Sequence, residues 1–237
     1  MRAHEQVLAC VEGELAAGRI GVGDRLPAER ALAAQLGVSR PSVREAVRVL
    51  ESMGVVRART GSGPEAGAVV VGGPAAGIGD SLGAALRLHT ATSRLAVADV
   101  VATRVLLETW AVSTAAERAD DERATALVRA ASLLDAMDDD GAGAADFIAL
   151  DARFHVALAA CAGNAVVEAV MTSLREAVQS YVTSGVEGLP DWTATAARLR
   201  AEHRAVLAAV RDGRAEEAST LVRAHIEGFA AEAGLRP

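Results

Sequence analysis

The chain has 237 residues, a length that accommodates two small domains. Its formal net charge of −7 argues against a protein coated in nucleic acid, and a composition that is 51% hydrophobic but only 3% aromatic means that its core is built from Ala, Val and Leu, which suits close-packed helices. No apolar run approaches the about 18 residues of a membrane-spanning helix, there is no signal-peptide layout at the N-terminus, and Cys10 and Cys161 give no disulfide framework, so a cytoplasmic, reduced protein is expected.

Residues 4–17 form an amphipathic helix with Val7, Leu8, Val11 and Leu15 on one face, closed by Gly18. A turn at residues 21–24 leads through Leu26-Pro27 into a short Ala/Leu-rich helix, Glu29 to Leu36. A tight Gly37-Val38 turn follows. Ser39 is a good N-cap for the next helix, and Pro41 is tolerated in its first turn. Val43, Ala46, Val47 and Leu50 then give one apolar stripe, while Arg40, Arg44 and Arg48 recur every four residues on the other side. Gly54 ends that helix. The β-prone run 55–59, a Gly/Pro loop at 61–67 and a second β-prone run at 68–71 suggest a two-stranded wing.

The pattern is a winged helix-turn-helix spanning residues 1–71, although a helical hairpin with a solvated basic face would look similar. Residues 38–60 carry five Arg against Glu45 and Glu51, so basic charge is gathered where DNA phosphates would need it. The run RLPAERALAAQLGVSRPSVREAVRVLESMGVV resembles the signature of the GntR family of bacterial transcription regulators. The resemblance implies a double-stranded DNA operator as partner. It also implies contacts from Arg30, from Arg40 and Arg44 on the recognition helix, and from Thr60 and Gly61 at the wing. Ser39 and Ser42 would meet phosphate at the helix N-terminus.

Residues 72–80, GGPAAGIGD, show no helix or strand pattern and are expected to be a linker. From Ser81 on, the chain is expected to be an antiparallel α-helical bundle of about seven helices, residues 81–237. The segments are Ser81 to His89, Val97 to Arg118, Asp120 to Met137, Ala144 to Cys161, Ala165 to Thr183, Trp192 to Asp212 and Ala215 to Ala233. Residues 184–191, with two glycines and Pro190, are expected to be a loop.

Within the bundle, Asp151 and His155 sit four residues apart and share one helix face, and His203 and His225 fall in the last two helices. Three imidazoles and a carboxylate on adjacent helices can bind a divalent metal and leave coordination positions open. The same residues also suit a hydrogen-bonded core. The segments DARFHVALAACAGN, EHRAVLAAVRDG and AEEASTLVRAHIEGF resemble the FCD ligand-binding domain of the FadR subfamily of GntR regulators. That resemblance implies a metal on Asp151, His155, His203 and His225, with zinc expected and nickel or manganese as alternatives. It further implies a small carboxylate effector met by Arg104 and Asn164. Arg104 equally suits an internal pair with Glu108, and Asn164 a helix cap.

The expectation is therefore a homodimeric, metal-containing repressor released from a palindromic operator by a small carboxylate, with no membrane partner. A metal-dependent hydrolase or lyase built on the Asp/His₃ set is the alternative.

Overall fold

The computed structural model describes residues 2–59, 67–71, 74–92, 95–138 and 143–235, which form two compact units, Met1–Ser81 and Leu82–Pro237. In the first unit three helices, α1 (Ala3–Ala16), α2 (Glu29–Leu36) and α3 (Arg40–Ser52), precede a hairpin of β1 (Val56–Arg59) and β2 (Gly67–Val70). The expected apolar stripe of α3 is the buried one: Val43, Ala46 and Leu50 are in the core with Val7 and Val11 of α1 and Leu32 of α2. Two local devices set the angle between α2 and α3. Gly37 closes α2 at φ 65°, a left-handed conformation that side chains disfavour, and the Ser39 hydroxyl accepts the Ser42 amide at 3.2 Å to start α3.

The strands pair antiparallel, from Val56 opposite Val70 to Arg59 opposite Gly67. The far edge of β2 is not open. The Leu26 amide donates to the Ala68 carbonyl and the Val70 amide to the Asp24 carbonyl, each at 2.8 Å. The turn before α2 thus ties the wing to the unit, and the Glu51 carboxylate at the end of α3 accepts the Ala58 amide at 2.8 Å.

A fourth helix, α4 (Pro74–Ala91), begins in the first unit and ends in the second, whose other elements among its described residues are the helices α5 (Val97–Glu117), α6 (Asp121–Met137), α7 (Ala144–Ala160), α8 (Ala165–Glu187), α9 (Trp192–Arg211) and α10 (Ala215–Glu232). α10 packs against α5 and α9, and α7 against α6 and α8. Ala111, Ala115, Ala130, Ala209 and Ala218 are fully buried, which lets backbones approach where aromatic side chains are scarce. Arginines close several helix ends. Arg123 donates to the Ala115 carbonyl at 2.6 Å and to the Val210 carbonyl at 2.8 Å, and Arg200 to the Met137 carbonyl at 2.6 Å. Each guanidinium meets carbonyls that the helix itself leaves unpaired.

Two expectations need correction. Most of the segment 72–80 is helix rather than structureless linker, because α4 begins at Pro74. Proline is suited to a helix start, and each of Gly77 and Gly79 costs only about 1 kcal/mol against alanine, which an 18-residue helix can absorb. Its later turns are held by the Arg87–Glu176 ion pair at 2.6 Å and by the Tyr181 hydroxyl on the Thr90 carbonyl at 3.1 Å. Likewise α8 runs through Gly185 to Glu187, into the expected loop. Gly185 serves packing there: a Cβ at this position would lie 2.9 Å from the Ala233 carbonyl oxygen.

Two measurements check this packing. Gly185→Ala should lower the thermal midpoint despite alanine's better helix propensity, whereas Gly228→Ala, with open space around its Cβ site in α10, should raise stability by up to about 1 kcal/mol. Equal stabilisation by both would show that α8 does not meet the C-terminal turn so closely. Cys161 is fully buried, its thiol donates to the Ala157 carbonyl at 3.3 Å, and burial pushes its pKa up to about 11. Iodoacetamide at about pH 8 should therefore label Cys161 only after unfolding. Rapid labelling of the native protein at that residue would contradict the core described here.

Candidate functional site

Asp151 and His155 stand one turn apart on α7, with His203 on α9 and His225 on α10. The three imidazoles are buried at 1%, 0% and 5% exposure. Their Nε2 atoms and an Asp151 oxygen point at one another, with one ligand atom from each residue within 4.8 Å of the others. Nε2 of His225 lies 3.2 Å from Nε2 of both His155 and His203, and Asp151 Oδ1 lies 3.0 Å from His203 Nε2 and 3.5 Å from His155 Nε2. Donors that share one ion at about 2.0–2.1 Å are separated by roughly these distances.

The far nitrogens explain the orientation. Nδ1 of His155 donates to a Glu108 carboxylate oxygen, and Nδ1 of His225 to Glu202 at 2.7 Å. A neutral imidazole has one proton, so as neutral rings both would turn an unprotonated Nε2 inward, and two lone pairs would face each other across 3.2 Å. That arrangement is unfavourable in a buried site unless a cation sits between them, and a carboxylate behind each ligating imidazole is the usual support of a metal site. His203 differs. Its buried Nδ1 has no partner among the described residues, and its ring is held by Phe154, with centroids 4.8 Å apart, and by stacking on Phe147. The donor set therefore fits a divalent metal ion.

Charge states agree with that fit. Burial pushes the His203 imidazole down to about 3, and burial with the neighbouring His155 lowers His225 against the pull of Glu202. Burial alone would raise Asp151, but the Arg175 guanidinium and the surrounding imidazoles hold its carboxyl well below the usual range. Glu108 is lowered too, against its own burial, by His155 and Arg104. Around neutral pH the site presents neutral His203 and His225 rings and an ionised Asp151 carboxylate.

Beside the four donors lies a cavity of about 30 Å³, room for an ion and a water or two, lined by Arg104, Asp151, Arg175, His225, Trp192 and Phe229 among others. Arg104 lines it as expected, but its Nε donates to Glu108 at 2.9 Å with both side chains buried, so the internal pair is formed. Asn164 is not in the cavity. It is exposed and caps α8, accepting the Val166 and Val167 amides at 3.1 and 3.2 Å, so the helix-cap role is formed. Sequence reasoning missed Glu202 and Arg175 and left Glu108 as a partner of Arg104 alone. The only local signal was the adjacency of Glu202 to His203, and that misleads, because Glu202 orients His225.

On the first unit, Arg30, Arg40, Arg44 and Arg48 are exposed. Arg40 and Arg44 converge on Glu29 of α2, at 3.9 and 3.5 Å, and the Ser39 and Ser42 hydroxyls lie 2.9 Å apart at the start of α3. These residues share the N-terminal end of α3. Thr60 and Gly61 lie outside the described residues.

Comparison with known proteins gives this architecture a family. Residues 3–65 match the gntR family of bacterial regulatory proteins, and residues 99–228, more than half of the chain, match the FCD domain. The HTH-type transcriptional repressor NanR of Klebsiella aerogenes is 29% identical over 233 residues, covering 96% of this chain and 84% of that protein. NanR of Escherichia coli K12 is 29% identical over 219 residues, covering 89% and 76%. The HTH-type transcriptional regulator YcbG of Bacillus subtilis is 31% identical, covering 72% of this chain and 66% of its own length. Among solved structures, Streptococcus agalactiae GntR superposes with a TM-score of 0.69 at 25% identity, covering 96% of this chain and 99% of that one. These relatives and both matched domains are regulatory, which sets aside the hydrolase or lyase alternative. No helix among the described residues is long and apolar enough to cross a membrane. The chain belongs to the gntR family of DNA-binding transcription regulators, in the group that carries an FCD ligand-binding domain.

Proposed function

We propose that this regulator is a homodimeric repressor whose FCD domain holds a divalent metal ion, zinc foremost, on Asp151, His155, His203 and His225, and that a small carboxylate releases it from a palindromic operator. The observation that carries the metal is the inward convergence of three imidazole Nε2 atoms and one carboxylate oxygen, two of the rings being fixed from behind by glutamates. Nitrogen-rich donor sets suit zinc, with nickel and manganese as alternatives. When bound, the ion offers open coordination to a carboxylate oxygen. Asp151 and the three imidazoles would hold the ion, Glu108 and Glu202 keep Nε2 turned inward, and Trp192 and Phe229 line the adjoining cavity.

Two copies of α3 would each enter a major groove, one half-site per subunit, with Arg40 and Arg44 at guanine edges or phosphates and Ser39, Ser42 and Arg30 on the backbone. Repression is supported by the names of the NanR relatives. An effector can release operator only if it binds the DNA-free arrangement more tightly than the DNA-bound one.

Arg40→Ala/Arg44→Ala should weaken binding to the DNA upstream of the regulator's own gene at least about a hundred-fold and flatten its salt dependence, with the thermal midpoint unchanged. Wild-type-like binding by the double variant would remove these arginines from the interface. Adding zinc to chelator-stripped protein should raise the thermal midpoint, since a ligand that binds only the folded state stabilises it by mass action, and His203→Gln should abolish that shift. A wild type whose midpoint ignores zinc, nickel and manganese alike would contradict the metal.

A further inference from the structure

Resting on the metal-and-carboxylate function just proposed, one residue of the cavity has a free binding edge. Arg175 of α8 is 7% exposed, lines the cavity beside Asp151, and donates from Nη1 to Asp151 Oδ2 at 2.9 Å. Its Nε and Nη2 are buried and have no hydrogen-bond partner among the described residues. Those two atoms are the side-on fork of the guanidinium, the pair of parallel N–H groups that matches the two oxygens of a carboxylate in one plane. Leaving two buried cationic donors unpaired is costly, on the order of 1–3 kcal/mol for each neutral donor and more for charged ones, so the geometry awaits an acceptor.

Arg104 is placed differently. Its Nε faces Glu108, and Glu108 in turn holds His155 Nδ1, so Arg104 closes a chain that orients a metal-site imidazole. Nothing comparable occupies the side-on edge of Arg175. The guanidinium stays cationic at neutral pH, lowered only to about 10 by its burial and by Arg104 against the pull of Asp151 and Glu108.

We propose that Arg175 is the effector-binding residue of this regulator: its Nε–Nη2 edge holds the carboxylate of the effector while Nη1 stays on Asp151. Arg104 is a positioning residue that acts through Glu108. One guanidinium then joins the effector directly to a residue of the metal site, so ligand occupancy and metal occupancy are coupled through Asp151. The cavity of about 30 Å³ admits only a compact anion without side-chain movement, which selects small probes.

The test uses the full-length, zinc-loaded protein carrying Trp110→Phe, so that the fluorescence followed is that of Trp192, which lines the cavity, titrated with acetate, lactate and malonate, and with acetamide as a neutral isostere. Metal content is measured before and after each titration, so that chelation is separated from binding. Arg175→Lys keeps the charge beside Asp151 but has no fork, and Arg175→Gln removes the charge as well. The expected result is that at least one carboxylate binds the wild type and acetamide does not. Both variants should then bind that carboxylate ten-fold or more weakly, and Arg175→Lys, which keeps a cation beside Asp151, should still hold zinc and the operator DNA. Undiminished carboxylate binding by Arg175→Lys overturns the assignment to the fork and leaves the metal-and-carboxylate function standing. Loss of zinc from both variants together with the carboxylate overturns it also, since Arg175 would then serve only to place Asp151. Should no carboxylate bind the zinc-loaded wild type, the carboxylate effector itself falls, and this assignment with it.

Discussion

Three imidazole Nε2 atoms are turned toward one another inside a helical core, two of them on rings whose Nδ1 is committed to a glutamate, and this is the constraint around which the effector domain is arranged. His155 and His225 cannot each donate to a glutamate through Nδ1 and also share a hydrogen bond through Nε2 as neutral rings. Apolar burial makes the conflict worse, because no high-dielectric solvent dilutes the repulsion. A cation at the point of convergence turns it into an attraction, and it gives the ionised Asp151 a second counter-charge beside Arg175.

Holding four donors on three helices needs helices that do not slide. The alanine-rich packing supplies this: α10 lies close to α5 and α9, and a fully buried Phe154 fills the space beside His155 and His203. Arginines clamp the helix ends, with Arg123 joining the last carbonyls of α5 and α9. Arg104 and Arg175 are balanced by Glu108 and Asp151 in a buried network of charges, so an anion entering beside Arg175 would meet one unpaired edge rather than a diffuse positive field. An effector could thus be sensed in the domain without the core being rebuilt.

Much of this was legible in the sequence, and the failures have physical causes. α3 could be read from Ser39, the stripe from Val43 to Leu50 and the arginines at every fourth residue, because capping and helical periodicity are local. The Asp151–His155 pair was legible for the same reason, and His203 and His225 joined it through family resemblance. Gly/Pro punctuation misled at Pro74 and Gly185, where one residue starts a helix and the other makes room for a neighbour. The orienting glutamates were not legible. Glu108 precedes its histidine by 47 residues, and Glu202 sits next to one histidine while serving another. Arg104 was named through family resemblance, and sequence shows neither that its Nε is already paired with Glu108 nor that Arg175 lies beside Asp151.

The central claim, a divalent metal held by these four residues, is tested most directly by X-ray absorption at the metal edge, with elemental analysis, on untagged protein purified without chelator. The account predicts close to one equivalent of metal per chain, with a nitrogen-and-oxygen first shell that includes three imidazoles and that is lost in His203→Gln. Protein that is folded, binds its operator and carries no metal, or a metal whose first shell is unchanged by His203→Gln, would contradict it.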